Sequence, residues 1–116
     1  MFLTKDAILQ RSDLPYEDVD VPEWGGTVRI RTLTGLEVDS FLVKTSERPD
    51  RKAETVKDVI ELLLMCLVDE NNNRLFNEKE FEALGKKNWN TLQRLFKIAM
   101  DLNALSQKKE DEQIKN

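Results

Sequence analysis

The run "VKDVIELLLMCLV", residues 56–68, decides how the rest of the chain has to be arranged. Val56, Val59, Ile60, Leu63, Leu64 and Leu67 recur at helical spacing, which predicts a helix from about Lys52 to Val68. Leu62, Met65, Cys66 and Val68 put apolar atoms on the remaining sides of its last two turns. A helix that is apolar all round belongs in an interior. It is therefore expected to be the central element, with the other segments covering it. Cys66 falls inside this apolar collar, where burial raises a thiol's pKa, so core packing is its expected role.

The length of 116 residues supports one such core and not two. The apolar run Leu62 to Val68 is far short of the roughly 20 residues that cross a bilayer. Residues 1 to 20 carry acids and no long apolar core, so no secretory signal is expected, and a cytoplasmic home follows. One cysteine excludes an internal disulfide. There is no histidine, which removes Ser-His and Cys-His nucleophile pairs, His metal sites and the commonest general base together. The net charge of −4 argues against broad nucleic-acid binding, which depends on an excess of Lys and Arg.

Around the central helix the local signals are strong. Thr4 is placed to cap a short helix over Lys5 to Gln10, with Asp6 in its first turn. From Asp13 to Glu23 there are five acids, Asp13, Glu17, Asp18, Asp20 and Glu23, and no base. Pro15 and Pro22 keep that segment extended and irregular, as a solvated connector; the sharper alternative is an acidic strip that meets a basic partner. Gly25-Gly26 suits a two-residue hairpin turn with strands on both sides. In Thr27 to Leu33, Val28 and Ile30 point inward while Arg29 and Arg31 form a wet face. Thr34 and Glu37 then make a capping box for a helix that presents Val38, Phe41, Leu42 and Thr45 on one face, stopped by Arg48-Pro49-Asp50. Asn77 and Glu80 repeat the capping box for a short helix ended by Gly85. Asn88 starts the last helix, whose stripe is Trp89, Leu92, Leu95, Phe96, Ala99 and Leu102, widened by Ile98 and Leu105.

The expected fold is thus α+β and mainly helical: an N-terminal β-hairpin packed with four to five helices. It forms a single domain over residues 1–105, followed by a polar, frayed tail at 106–116.

Three constellations bear on chemistry. Asp69, Asn71, Asn73, Asn77 and Glu80 fall at positions one, three, five, nine and twelve of a calcium loop between helices. Arg74 stands where such a loop needs glycine, and turn and cap roles explain the same residues, so a calcium-binding helix-loop-helix module is the alternative function rather than the leading one. With 22 acids in the chain, carboxylate pairs carry no specificity for a hydrolase. For partner contacts the candidates are Arg29 and Arg31 on the strand, Trp24 at the hairpin, and Ile98 and Leu105 at the edge of the last stripe. Neither a catalytic site nor a cofactor is expected.

The segments "LTKDAIL", "DLPYEDVDVPEWGGTVRIRTLTGLEVDSF", "LVDENNNRLFNEKEFEALGKKNW" and "LQRLFKIAMDLNAL" together resemble the tail assembly chaperones of long-tailed bacteriophages and prophages. The most specific piece is "VPEWGG" followed by alternating apolar and basic residues and "LTG". After "LTG" many relatives carry an Arg-Asp-like pair, where this chain has Leu36-Glu37-Val38-Asp39. The resemblance implies a non-enzymatic protein that binds the tape measure protein, keeps it soluble and helps recruit tail-tube (major tail) subunits. It would do so in the host cytoplasm and leave the finished tail. Self-association is left open, and neither nucleic acid nor membrane is an expected partner.

Overall fold

A computed structural model describes residues 1–46 and 55–103. The elements run α1 (Lys5–Gln10), β1 (Tyr16–Val21), β2 (Gly26–Arg31), α2 (Gly35–Ser46), α3 (Val56–Cys66), β3 (Leu67–Val68), α4 (Phe81–Gly85) and α5 (Trp89–Leu102). A 3-10 turn at Pro22–Trp24 joins β1 to β2, and another at Glu78–Glu80 leads into α4. The three strands form one antiparallel sheet in the order β1-β2-β3. This is the expected α+β architecture with one strand more than the hairpin.

The caps account for where the helices start. Thr4 Oγ1 accepts from the Ala7 amide, and Asn88 Oδ1 accepts from the Thr91 amide. Thr34 and Glu37 exchange cap bonds of 3.1 and 2.9 Å, and Asn77 and Glu80 form the second capping box. A further box was not anticipated. Thr55, in an extended conformation, exchanges bonds with Asp58, so α3 begins at Val56 and not at Lys52. The Arg48-Pro49-Asp50 stop and the tail 106–116 lie outside the described residues.

As its pattern required, α3 is buried from Asp58 to Cys66 apart from the half-buried Glu61. It packs on α5, α4, α2 and β2, while Val56 at its first turn is exposed. Its last two apolar residues leave the helix. Leu67 and Val68 become β3 and pair with Ile30 and Arg29, because the edge of β2 needs a partner and the extended backbone supplies one. From α5, Leu92, Leu95, Phe96 and Ala99 complete the core, and Leu84 closes it from α4. A Cβ on Gly85 would lie 2.9 Å from Ile60 Cδ1, so this glycine permits close packing of α4 on α3. The short helix ends at Gly85 as expected, without a positive φ there, since among the described glycines only Gly25 has one. Cys66 is fully buried, and burial pushes its thiol up to about 12.

The hairpin differs from expectation in three ways. Its turn is not at Gly25-Gly26: Gly26 already belongs to β2 opposite Val21, and Gly25, at φ +77°, closes the 3-10 turn that Pro22 initiates. The acidic segment is not an irregular connector but contains β1, paired from Tyr16 to Val21 with β2. Arg31 is not on a wet face; it is buried under Glu37. On α2 the expected inward face also needs correction, because Phe41 is buried and Val38 packs on the core while Leu42 is 52% exposed. No helix among the described residues is long and apolar enough to cross a membrane.

Candidate partner-binding surfaces

The two arginines of β2 are tied into the fold by different partners. Arg29 Nε donates to Asp18 Oδ1 at 2.8 Å and Nη2 to Oδ2 at 3.3 Å, a forked pair across the β1–β2 ladder. Its guanidinium sits 3.7 Å from the centre of the Tyr16 ring. Its Nη1 reaches the Glu70 carbonyl and Asn72 Oδ1, each at 3.1 Å, and Asn72 is held at φ +66°. Arg29 thereby fastens the hairpin to the turn that follows β3. The hydrogen bond from Arg29 holds the Asp18 carboxyl below its usual range.

Arg31 donates from Nη1 and Nη2 to the two oxygens of Glu37 at 3.0 and 3.2 Å, and to the Thr32 carbonyl at 2.9 Å. Glu37 also accepts from the Thr34 amide and from Arg74, whose Nε lies 3.1 Å away. One carboxylate therefore joins β2, the start of α2 and the Arg74 bridge to Val68. Burial works to raise the Glu37 carboxyl, but Arg31, the Thr34 amide and Arg74 outweigh it and hold it at about 2.

Trp24, at the hairpin tip, is half-buried and packs on the core, with Lys87 Nζ 6.0 Å from its ring centre. Next to it, Glu23 accepts from Thr91 Oγ1 at 2.8 Å and from Arg94 Nη2 at 3.0 Å. Arg94, the backbone amide of Glu23 itself and Thr91 bring its carboxyl down to about 2. The tip is thus tied to the first turns of α5. Two turns further along α5, Ile98 is half-buried at the edge of the core. Leu105 lies outside the described residues. Arg29 and Arg31 share β2, whereas Trp24 and Ile98 lie on separate parts of the hairpin–α5 side.

The apolar surface the sequence reading passed over is elsewhere. Leu36, Leu42 and Val43 of α2 are exposed, as are Phe2, Leu3, Ile8 and Leu9 at the front of the chain, where α1 buries no residue. The signal was present: Leu36 and Val43, seven apart, share a side of α2 that does not carry the Val38–Phe41 stripe.

The calcium-loop residues are engaged in the turn itself. Asp69 Oδ1 accepts from the amides of Asn71 and Asn73, Asn72 holds Arg29, and Asn77 and Glu80 cap each other. Among the described residues no group of three or more His, Cys, Asp or Glu is placed to hold a metal ion. A cleft of about 320 Å³ lies between α2, α3 and α4, lined by Lys44, Lys57, Glu61, Leu64, Glu78 and Phe81. Its two acids share Lys44, at 3.0 Å from Glu61 and 3.4 Å from Glu78, so it offers no pair of free carboxylates for acid-base work.

Comparison with known proteins agrees with this fold. No curated protein matches the sequence. The structure of the bacteriophage HK97 tail assembly chaperone is similar, with a TM-score of 0.61 at 23% identity, over 80% of this chain and 85% of that one. At that identity the likeness concerns the fold. The family model for phage tail assembly chaperones matches residues 4–115, nearly the whole sequence, and the chain belongs to that family.

Proposed function

We propose that the chain is a non-catalytic assembly chaperone that binds the tape measure protein, keeps it soluble and helps recruit tail-tube subunits. It would act in the cytoplasm of the host bacterium and be absent from the finished virion. The observation that carries this reading is the family match over residues 4–115. The chemistry of the described residues supports it: Arg29, Arg31 and Glu23 of the hairpin are each engaged by a charged partner within the fold, and the net charge of −4 favours a protein partner over nucleic acid.

A long client that is helical and apolar along one side is held most economically helix against helix. Ile98 and, from the sequence stripe, Leu105 are the proposed grip, with the half-buried Trp24 and Arg29 as further candidates; Arg31, buried against Glu37, drops out of the surface. Ile98 already packs partly on the core. A serine is therefore a better probe there than an aspartate, costing about 1–2 kcal/mol through lost apolar burial. In a pull-down of the neighbouring tape measure protein by the tagged chain, Ile98→Ser with Leu105→Ser should retain at least tenfold less client while still melting cooperatively. Unchanged retention would remove this face and direct attention to Leu36 and Val43 on α2.

A further inference from the structure

The acidic segment singled out by its composition turns out to be a sheet edge. Pro15 O accepts from the Thr32 amide at 2.9 Å, which sets the phase of the β1–β2 ladder. In an antiparallel pair both polar groups of every second residue face the partner strand. With the observed register, Glu17, Val19 and Val21 face β2. The N–H and C=O groups of Tyr16, Asp18 and Asp20 therefore point away from the sheet. Among the described residues no backbone group bonds to them. These side chains are exposed, and Pro15 and Pro22 bound the open edge at six residues.

We propose that this edge receives an extended segment of a partner protein in which apolar and basic residues alternate, adding a fourth strand beside β1. The strand that β1 already accepts shows what it selects. On that side Asp18 takes the fork of Arg29 and Asp20 accepts from Thr27, within a strand reading "TVRIR". An incoming strand would meet these carboxylates from the other side, together with Glu17. Arg29 already engages both oxygens of Asp18, so Asp20 and Glu17 carry most of the attraction, and no base lies between Asp13 and Glu23 in the strand itself. Charge on an edge strand ordinarily deters pairing. Here the deterrence is selective, because it falls on acidic and neutral strands and not on basic ones.

A second copy of the chain does not fit. Its own β2, the basic strand, is paired on both sides, and two β1 edges would set acids against acids. The inference is independent of the tape-measure reading, since it concerns an extended segment and not a helical client.

The test is a titration of the ¹⁵N-labelled full chain with the peptide Gly-Thr-Val-Arg-Ile-Arg-Thr-Leu, followed by amide exchange. At saturation the amides of Tyr16, Asp18 and Asp20 should shift and exchange at least tenfold more slowly, while those of Val28 and Ile30 stay unchanged. A peptide with Glu in place of both Arg should not bind. Asp20→Asn, which keeps an acceptor for Thr27, should weaken binding severalfold. Asp20→Pro removes an outward amide without losing a ladder bond and should abolish binding in a chain that still melts cooperatively. No shift at those three amides up to millimolar peptide would overturn the proposal. So would equal binding by the Glu peptide, or changes at Val28 and Ile30 that signal exchange with β2.

Discussion

Replacing Glu37 by alanine removes the acceptor on which three parts of the fold converge. Arg31, with its side chain only 8% exposed, would keep the Thr32 carbonyl and lose both carboxylate bonds. Leaving one member of a buried pair costs about 3–5 kcal/mol, and losing the reciprocal cap adds about 1. The Arg74 side remains open to water, which favours the lower end, so about 3 kcal/mol is expected at neutral pH. Depression of the carboxyl from 4.5 to about 2 sets the pH dependence. Its stabilisation is fully present above about 4.5 and is lost as pH falls through about 2. Parent and variant should therefore differ most at neutral pH and converge between 4.5 and 2. Urea unfolding followed by circular dichroism across that range measures the difference. A loss below 1 kcal/mol at pH 7, or a difference that does not shrink with acid, would refute the hub.

Other outcomes follow from single contacts. Gly25→Val should cost about 1–2 kcal/mol because φ is +77° there, whereas Gly26→Val, where an added Cβ meets nothing within 4 Å, should stay within about 0.5; thermal melts decide. Leu92→Ala should cost about 2–5 kcal/mol, and Leu42→Ala, at 52% exposure, about 0.5 or less in the same urea assay. The Cys66 thiol, raised to about 12 by burial, should resist a thiol reagent at pH 8 until denaturant is added, which a colorimetric assay reads. In a carboxyl NMR titration, Glu23 and Glu37 should both have midpoints near 2.

What was legible in the sequence was local. A capping box needs only two residues three apart, so Thr34–Glu37 and Asn77–Glu80 could be placed from spacing. The same logic applies to Thr55 and Asp58, but the apolar periodicity around them masked the start of α3. Burial of α3 was legible because no surface tolerates apolar residues on every side. The strand at Leu67–Val68 was not, since an apolar run has the same composition in helix and strand and pairing with β2 decides between them. Arg31 shows the limit of alternation. The period puts it on one side of β2, yet what covers that side comes from Glu37 and from Arg74, distant in the chain. The candidate surface was legible only in part for the same reason. Surplus apolar residues single out the last helix, whereas Leu42 reads as part of the inward face of α2 and Leu36 and Val43 are not singled out, yet all three are more exposed than Ile98.

The soluble fraction of the tape measure protein, measured after expression with and without this chain, bears on the proposed function with the fewest intermediate assumptions. Co-expression should move most of the tape measure protein from the pellet to the supernatant, where the two should migrate together on size exclusion. Tape measure protein that stays in the pellet, or becomes soluble without ever associating with the chain, would contradict the proposal.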